Sequence, residues 1–280
     1  MPLEKKSIPV GKLEWFYREV NPAGDQQQLP VLLLHGLVSQ SYSWTLVLEN
    51  LAQAGFRGIA PDWIGAGFST KPEKREFTYT PDEFIQALDE LIAAFEMEKF
   101  HLVVQGFLGS VGLQYALRHP EKIGRLAILN TPISTEAKLP WQIQQLGLPL
   151  IGDMLTQDPL LVDRTLEKGS GYTIGDDDLD IYRRPFLQTS AAGRALLATV
   201  KNLQLDAAMT EITTGFRNWQ HPTLVLWGIA DPWLKTADAE AFVQMLAEGS
   251  LVKLEGAGHY PQEHWSDKIS ENLIDFWRRM

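Results

Sequence analysis

The feature that most limits the fold is a repeating pair: a short apolar run, then a stretch with helical spacing, then another run. Val31–Leu34 (VLLL), Leu102–Gln105 (LVVQ), Leu126–Leu129 (LAIL) and Thr223–Trp227 (TLVLW) are apolar at nearly every position. A strand with one wet face alternates between polar and apolar residues. One that is apolar throughout is covered on both faces, as in a parallel sheet between two layers of helices. The segments between the runs supply those helices. Trp44–Ala54 has helical periodicity and Gly55 stops it. Thr80-Pro81-Asp82-Glu83 combines an N-cap Thr, Pro at the first helical position and a capping-box Glu, opening a helix to about Phe95. Leu108–Arg118, Ala237–Leu246 and Ile269–Trp277 read as further helices. Leu13–Val20, Phe56–Ala60 and Leu251–Leu254 read as further strands, with a turn at Asn21-Pro22-Ala23-Gly24-Asp25. The fold class is therefore α/β, a doubly wound, mostly parallel sheet with helices on both faces.

Between Pro132 and Gln220 the strand signals fade, and Pro and Gly punctuate short helical pieces. We expect residues 1–132 and 221–280 to form one α/β core, with residues 133–220 inserted after the sixth strand as a helical cap. The acidic triplet Asp176-Asp177-Asp178 reads as a solvated loop within it. A chain of 280 residues, 45% hydrophobic, can fill such a core. Thirty-five acidic against 25 basic residues, a formal charge of −10, argue against nucleic-acid and anionic-membrane partners, which reward clustered cations. The absence of cysteine excludes disulfides, thiolate zinc sites and a Cys nucleophile. Met1–Val10 (MPLEKKSIPV) carries no apolar run, so no secretory leader is expected, nor any membrane span. The expectation is a cytoplasmic, soluble monomer or weak homodimer with no cofactor and no metal. Its partner would be a small apolar organic ligand or substrate.

Open α/β sheets bind ligands at the carboxyl ends of their strands, which singles out three groups of loop residues. These are His35-Gly36-Leu37, the turn at Gly106 after LVVQ, and the late loops Gly228-Ile229-Ala230-Asp231 and Gly256-Ala257-Gly258-His259. Together with Asp62-Trp63-Ile64-Gly65-Ala66-Gly67-Phe68-Ser69, they give the chain a resemblance to the α/β-hydrolase superfamily over nearly its whole length. More narrowly it resembles the haloalkane dehalogenase and epoxide hydrolase branch. The lid residues Tyr182-Arg183-Arg184-Pro185-Phe186 and Arg194-Ala195-Leu196-Leu197 are similar to dehalogenase lids. Gly65-Ala66-Gly67 belongs to this pattern and is too short for a nucleotide loop.

The resemblance implies an α/β-hydrolase fold whose nucleophile sits on a strained bend between strand and helix. Aligning Val103-Val104-Gln105, Gly112-Leu113 and Tyr115–Pro120 with the dehalogenase elbow puts the nucleophile position on Gly106, which has no side chain to attack with. A shift by two residues offers only Leu108. The resemblance further assigns Asp231 as the acid and His259 as the base of the triad, and the backbone N–H groups of Leu37 and Phe107 as an oxyanion hole. It leaves haloalkane dehalogenation without its attacking Asp. It also leaves it without halide donors, because Leu37 and Phe107 offer no side-chain hydrogen bond. Trp141, Leu146, Tyr182 and Phe186 are candidate pocket residues. Ser110 and Ser69 read as structural rather than as substitute nucleophiles, Asp62 as structural, and His35 as a brace for its loop.

Two functional readings stay open. In one, His259 held by Asp231 deprotonates water or substrate without a covalent intermediate. In the other, Asp231 caps a turn, His259 packs under the cap, and the fold binds an apolar ligand or a protein without chemistry.

Overall fold

The computed structural model describes residues 2–24, 28–148, 152, 158 and 160–279. Eight strands form one sheet in the order β1-β2-β4-β3-β5-β6-β7-β8. They are β1 (Glu4–Val10), β2 (Leu13–Val20), β3 (Val31–Leu34), β4 (Gly58–Pro61), β5 (Phe100–Gln105), β6 (Ile123–Leu129), β7 (Thr223–Gly228) and β8 (Gly249–Leu254). β1 and β2 pair antiparallel, as do β2 and β4, and the rest of the sheet is parallel.

Every residue of β3, β4, β5 and β7 is buried, as their unbroken apolar runs require. The two faces still alternate. Leu32, Leu34, Leu102 and Val104 join one hydrophobic cluster, and Val31, Leu33 and Val103 the other. Helices α2 (Pro81–Ala94) and α3 (Gly109–Arg118) pack on the first face. Helices α1 (Thr45–Gln53) and α10 (Ser266–Arg278) pack on the second. Thr80 caps α2 by accepting from the Glu83 amide at 3.4 Å, but the Glu83 carboxylate turns to Thr78 Oγ1 at 2.9 Å, so only half the expected box forms.

Between β6 and β7 lie α4 (Trp141–Gln144), α5 (Leu161–Ser170), α6 (Asp176–Gln188), α7 (Ser190–Asn202) and α8 (Leu205–Gly215). The acidic triplet is not a loop. It forms the first turn of α6, where carboxylates complement the positive end of the helix. Helix α8 lies against α3, with Glu211 accepting from Gln114 and Arg118. Helix α9 (Thr236–Met245) follows β7. β1 carried no apolar signal because it is an edge strand whose residues alternate between exposed and half-buried. Of the turn at 21–25, Asp25 lies outside the described residues. Among the described residues, no helix is long and apolar enough to cross a membrane.

This topology decides where the site lies. The chain runs from β3 outward to β4, then returns to place β5 on the other side of β3. The loops leaving the carboxyl ends of β3 and β5 therefore part at a switch point, and a crevice opens between them.

Candidate active site

Two glycines meet in that crevice. Gly106 follows β5 with φ +68°, and a Cβ built on it would stand 3.0 Å from the Gly36 Cα. A Cβ on Gly36 would in turn stand 2.7 Å from Gln105 Oε1 and 3.0 Å from the Gly106 Cα. Glycine is favoured on both sides, by backbone conformation at Gly106 and by contact at both. Gln105 ties the crevice together. Its Oε1 accepts from the Gly36 amide at 3.1 Å, and its Nε2 donates to the His259 carbonyl at 2.7 Å. Helix α3 begins directly after the bend. Its close approach to the sheet runs through Gly109, facing Thr131, and Gly112, facing Val104. Leu108 therefore need not be small, and it lines the cavity beside the bend instead.

The loops after β7 and β8 bring Asp231 and His259 together. His259 Nδ1 lies 2.8 Å from Asp231 Oδ2, and both side chains are buried, at 1% and 0% exposure. A carboxylate only accepts, so Nδ1 is the donor, and in the neutral imidazole the lone pair is then on Nε2. Nε2 makes no hydrogen bond among the described residues, and it lies 3.4 Å from the point a Cβ on Gly106 would occupy. Asp231 is held from three further sides. Oδ1 accepts from the amides of Trp233 (2.8 Å) and Leu234 (3.1 Å), and Oδ2 accepts from Asn130 Nδ2 (2.8 Å). The imidazole is boxed in by aromatic rings. Phe107 stacks on it at 5.2 Å, and Trp233 and Tyr260 stand edge-on at 4.7 and 5.0 Å.

Asn130 was not singled out by the sequence reading. It ends β6 at φ +36°, where Asn is more tolerated than most residues, and it exchanges hydrogen bonds with the Gly228 backbone as well as with Asp231. An Asn-Thr-Pro closing an apolar strand was the one local signal for it.

The cavity beside the bend holds about 30 Å³, room for a water molecule or two. Leu37, Leu108, Tyr182 and Phe186 line it, together with Gly36 and the α7 residues Leu196 and Thr199. The amides of Leu37 and Phe107 donate no hydrogen bond among the described residues. Two expected pocket residues are elsewhere. Trp141 is 63% exposed at the start of α4, and Leu146 is buried in the core away from this lining. Helical spacing alone did not reveal which way either would face.

The remaining polar candidates are committed to structure. Ser110 Oγ donates to the Phe107 carbonyl at 2.7 Å, closing the first turn of α3. Ser69 Oγ donates to the Asp62 carbonyl and accepts from the Phe16 amide. Asp62 accepts from the amides of Ser41 and Phe68, and its Oδ2 would be 2.0 Å from a Cβ on Gly67, so the D-x-x-G-x-G-x-S loop wraps its own carboxylate. His35 accepts from the Trp63 amide through Nε2 and donates to the Gly36 carbonyl through Nδ1. Burial pushes its pKa below the usual histidine range, so it stays neutral and braces the loop.

A family model described as alpha/beta hydrolase fold matches residues 30–264. Lipase 1 of Psychrobacter immobilis is 25% identical to the chain, over 98% of this sequence and 84% of its own. The haloalkane dehalogenase of Psychrobacter cryohalolentis is 26% identical, over 90% of this sequence and 84% of its own. The crystal structure of haloalkane dehalogenase DbeA from Bradyrhizobium elkani superposes with a TM-score of 0.88 at 23% identity, covering 99% of this chain and 98% of that one, a likeness of fold. The chain belongs to the α/β hydrolase fold family.

Proposed function

We propose that this is a hydrolase-fold protein whose nucleophile position is Gly106 and whose chemistry is non-covalent. His259, oriented by Asp231, removes a proton from water or from a bound small apolar substrate. The amides of Leu37 and Phe107 then stabilise the oxyanion that develops. Hydrolysis, addition, elimination or decarboxylation on such a substrate are all available to this set of groups. The helices between β6 and β7 act as the lid.

One observation carries the reading. The place where a nucleophile's first carbon would sit is 3.4 Å from an unspent imidazole nitrogen, and nothing occupies it but hydrogen. Neither nearby serine substitutes, because both hydroxyls are already bonded to backbone. Dehalogenation and lipolysis, the activities in the relatives' names, are not expected, because each would need an attacking side chain on the bend.

The second reading, a catalytically inactive homologue that binds a ligand, is favoured by the 1% exposure of the His259 side chain and the small cavity. A panel of esters, lactones, epoxides and haloalkanes turned over by wild type and by His259→Ala separates the two. The enzyme reading requires at least one substrate whose rate collapses in His259→Ala. Equal background rates throughout would remove it.

A further inference from the structure

A cleft of about 210 Å³ lies behind the wall of the candidate active site, and its charge is opposite to that of the molecule as a whole. The chain carries a net −10, yet this cleft gathers Lys71, Lys74, Arg194 and Lys201 against one acid, Glu73. The four cations are not equally free. Lys71 Nζ is spent on the carbonyls of Gly67 (2.6 Å) and Ser69 (2.8 Å), which anchors the loop. Arg194 donates to Ser190 Oγ at 2.8 Å and to Glu73 at 3.3 Å. Lys74 and Lys201 form no ion pair among the described residues. A small concave site with unneutralised cations favours an anion.

The floor of the cleft is apolar, and it is shared with the cavity lined by Gly36 and Leu108. Ala191, Arg194, Ala195, Ala198 and Lys201 recur at helical spacing, so one face of α7 lines the cleft. Leu196 and Thr199, on the neighbouring face, line the cavity beside Gly106. Gly65 forms part of the partition. It belongs to the cavity, and a Cβ built on it would be 2.6 Å from the Tyr79 ring and 3.2 Å from the Ala195 Cβ, both of which belong to the cleft. Tyr79 stands at φ +59°, held by its hydroxyl to the Pro72 carbonyl at 2.6 Å. The cleft and the cavity are thus two chambers sharing one wall, the outer cationic and the inner apolar.

We propose that the cleft binds the carboxylate of an aliphatic acid, with Lys74, Lys201 and Arg194 taking the charge and the alkyl chain lying on Ala195, Ala198 and Tyr79. A carboxylate fits the chemistry on the other side of the wall, since attack of water on an ester carbonyl followed by loss of the alcohol leaves a carboxylic acid, and the same attack on a lactone breaks the ring C–O bond to leave a hydroxy acid. The assignment to substrate or product rests on the reading of the active site given above. Binding itself does not.

The test therefore measures binding, with octanoate, 1-octanol, octyl phosphate and inorganic phosphate titrated by calorimetry into wild type, Lys74→Glu/Lys201→Glu and His259→Ala. Backbone amide shifts of Gly65, Ala195 and Lys201 report the location. The proposal requires octanoate to bind at least tenfold more tightly than octanol, to move those three amides, and to lose at least tenfold in the double variant while its melting temperature stays that of wild type. His259→Ala should bind octanoate as wild type does, so a silent activity screen would leave this result intact. Equal affinity for octanoate and octanol, or unchanged octanoate affinity in the double variant, overturns the proposal. So does inorganic phosphate competing as well as octanoate, and tighter binding of octyl phosphate would reassign the head group and overturn the carboxylate.

Discussion

Replacing Gly106 by alanine tests the geometry on which the functional reading depends. An alanine at φ +68° gives up the left-handed preference of glycine, a cost of roughly 1–2 kcal/mol for a residue with a Cβ. Against this, alanine narrows the unfolded ensemble and returns about 0.4–1 kcal/mol. The Cβ adds a contact of 3.0 Å to the Gly36 Cα, tighter than backbone atoms normally allow and with no flexible side chain to yield. The net expectation is a loss of about 1–3 kcal/mol. With 280 residues and an unfolding entropy of about 2.1 cal/mol/K per residue, 1 kcal/mol corresponds to roughly 2 °C, so Tm should fall by roughly 2–5 °C. Gly11 supplies the control. It has φ +59° with nothing within 4 Å of its notional Cβ, so Gly11→Ala carries the conformational cost without the crowding. Calorimetric melting of both variants beside wild type separates the terms. If Gly106→Ala melts at or above wild type, or no lower than Gly11→Ala, then the bend is not closed against Gly36 as described.

Three further expectations follow from the same contacts. Asn130→Ala removes a donor to Asp231 and strands the buried Gly228 amide, and should cost about 2–3 kcal/mol in urea denaturation; a loss below about 0.5 kcal/mol would show that the clamp is not formed. Ser110→Ala should cost about 1 kcal/mol and leave any turnover unchanged, whereas a hundredfold fall in kcat would make its hydroxyl the missing nucleophile. Burial pushes the Glu263 carboxyl up to about 7 despite the opposing hydrogen bond from Tyr182. The folded chain therefore keeps a proton that the unfolded chain gives up above the ordinary glutamate value of 4.5, and stability falls as pH rises from there through about 7. Urea midpoints at about pH 5 and about pH 8 should show wild type losing ground to Glu263→Gln at the higher pH, and parallel midpoints would refute the burial argument.

The fold was legible because its strands are covered on both faces. Val31–Leu34 and Thr223–Trp227 can only be interior, and the helices between them follow from period and caps. β1 was not legible, because an edge strand needs no apolar face to hold its hydrogen bonds, and Glu4–Val10 presents Glu4, Lys5, Ser7 and Pro9 to water. The acidic triplet was misread as loop because composition speaks for solvent, while the helix dipole that welcomes those carboxylates is a property of the folded segment. Tyr182 and Phe186 line the cavity and Trp141 is exposed, a difference that an aromatic on a short helix does not mark in sequence. Gln105 was read as part of a motif. That its two amide atoms join the Gly36 loop to the His259 loop depends on strand order, which no local pattern encodes.

Capping a turn and orienting an imidazole first look like rival explanations of Asp231, but its two oxygens divide the work. Oδ1 closes the turn at Trp233 and Leu234, while Oδ2 is shared between Asn130 and His259. Removing the carboxylate would leave the Trp233 and Leu234 amides and His259 Nδ1 without an acceptor, so the chain has structural reason to keep Asp231 whether or not it catalyses anything. The same holds for His259 Nδ1 and for its backbone, which is bonded to Gly169 and Gln105. Retention of the pair is therefore no argument for activity. What remains unexplained by structure is Nε2, which faces the bend and serves no turn, cap or clamp among the described residues. A side chain kept only for packing and for Nδ1 would be matched by asparagine or glutamine hydrogen-bonded to Asp231. If His259→Gln folds as stably as wild type while all turnover disappears, the imidazole is there for the nitrogen that the fold does not use.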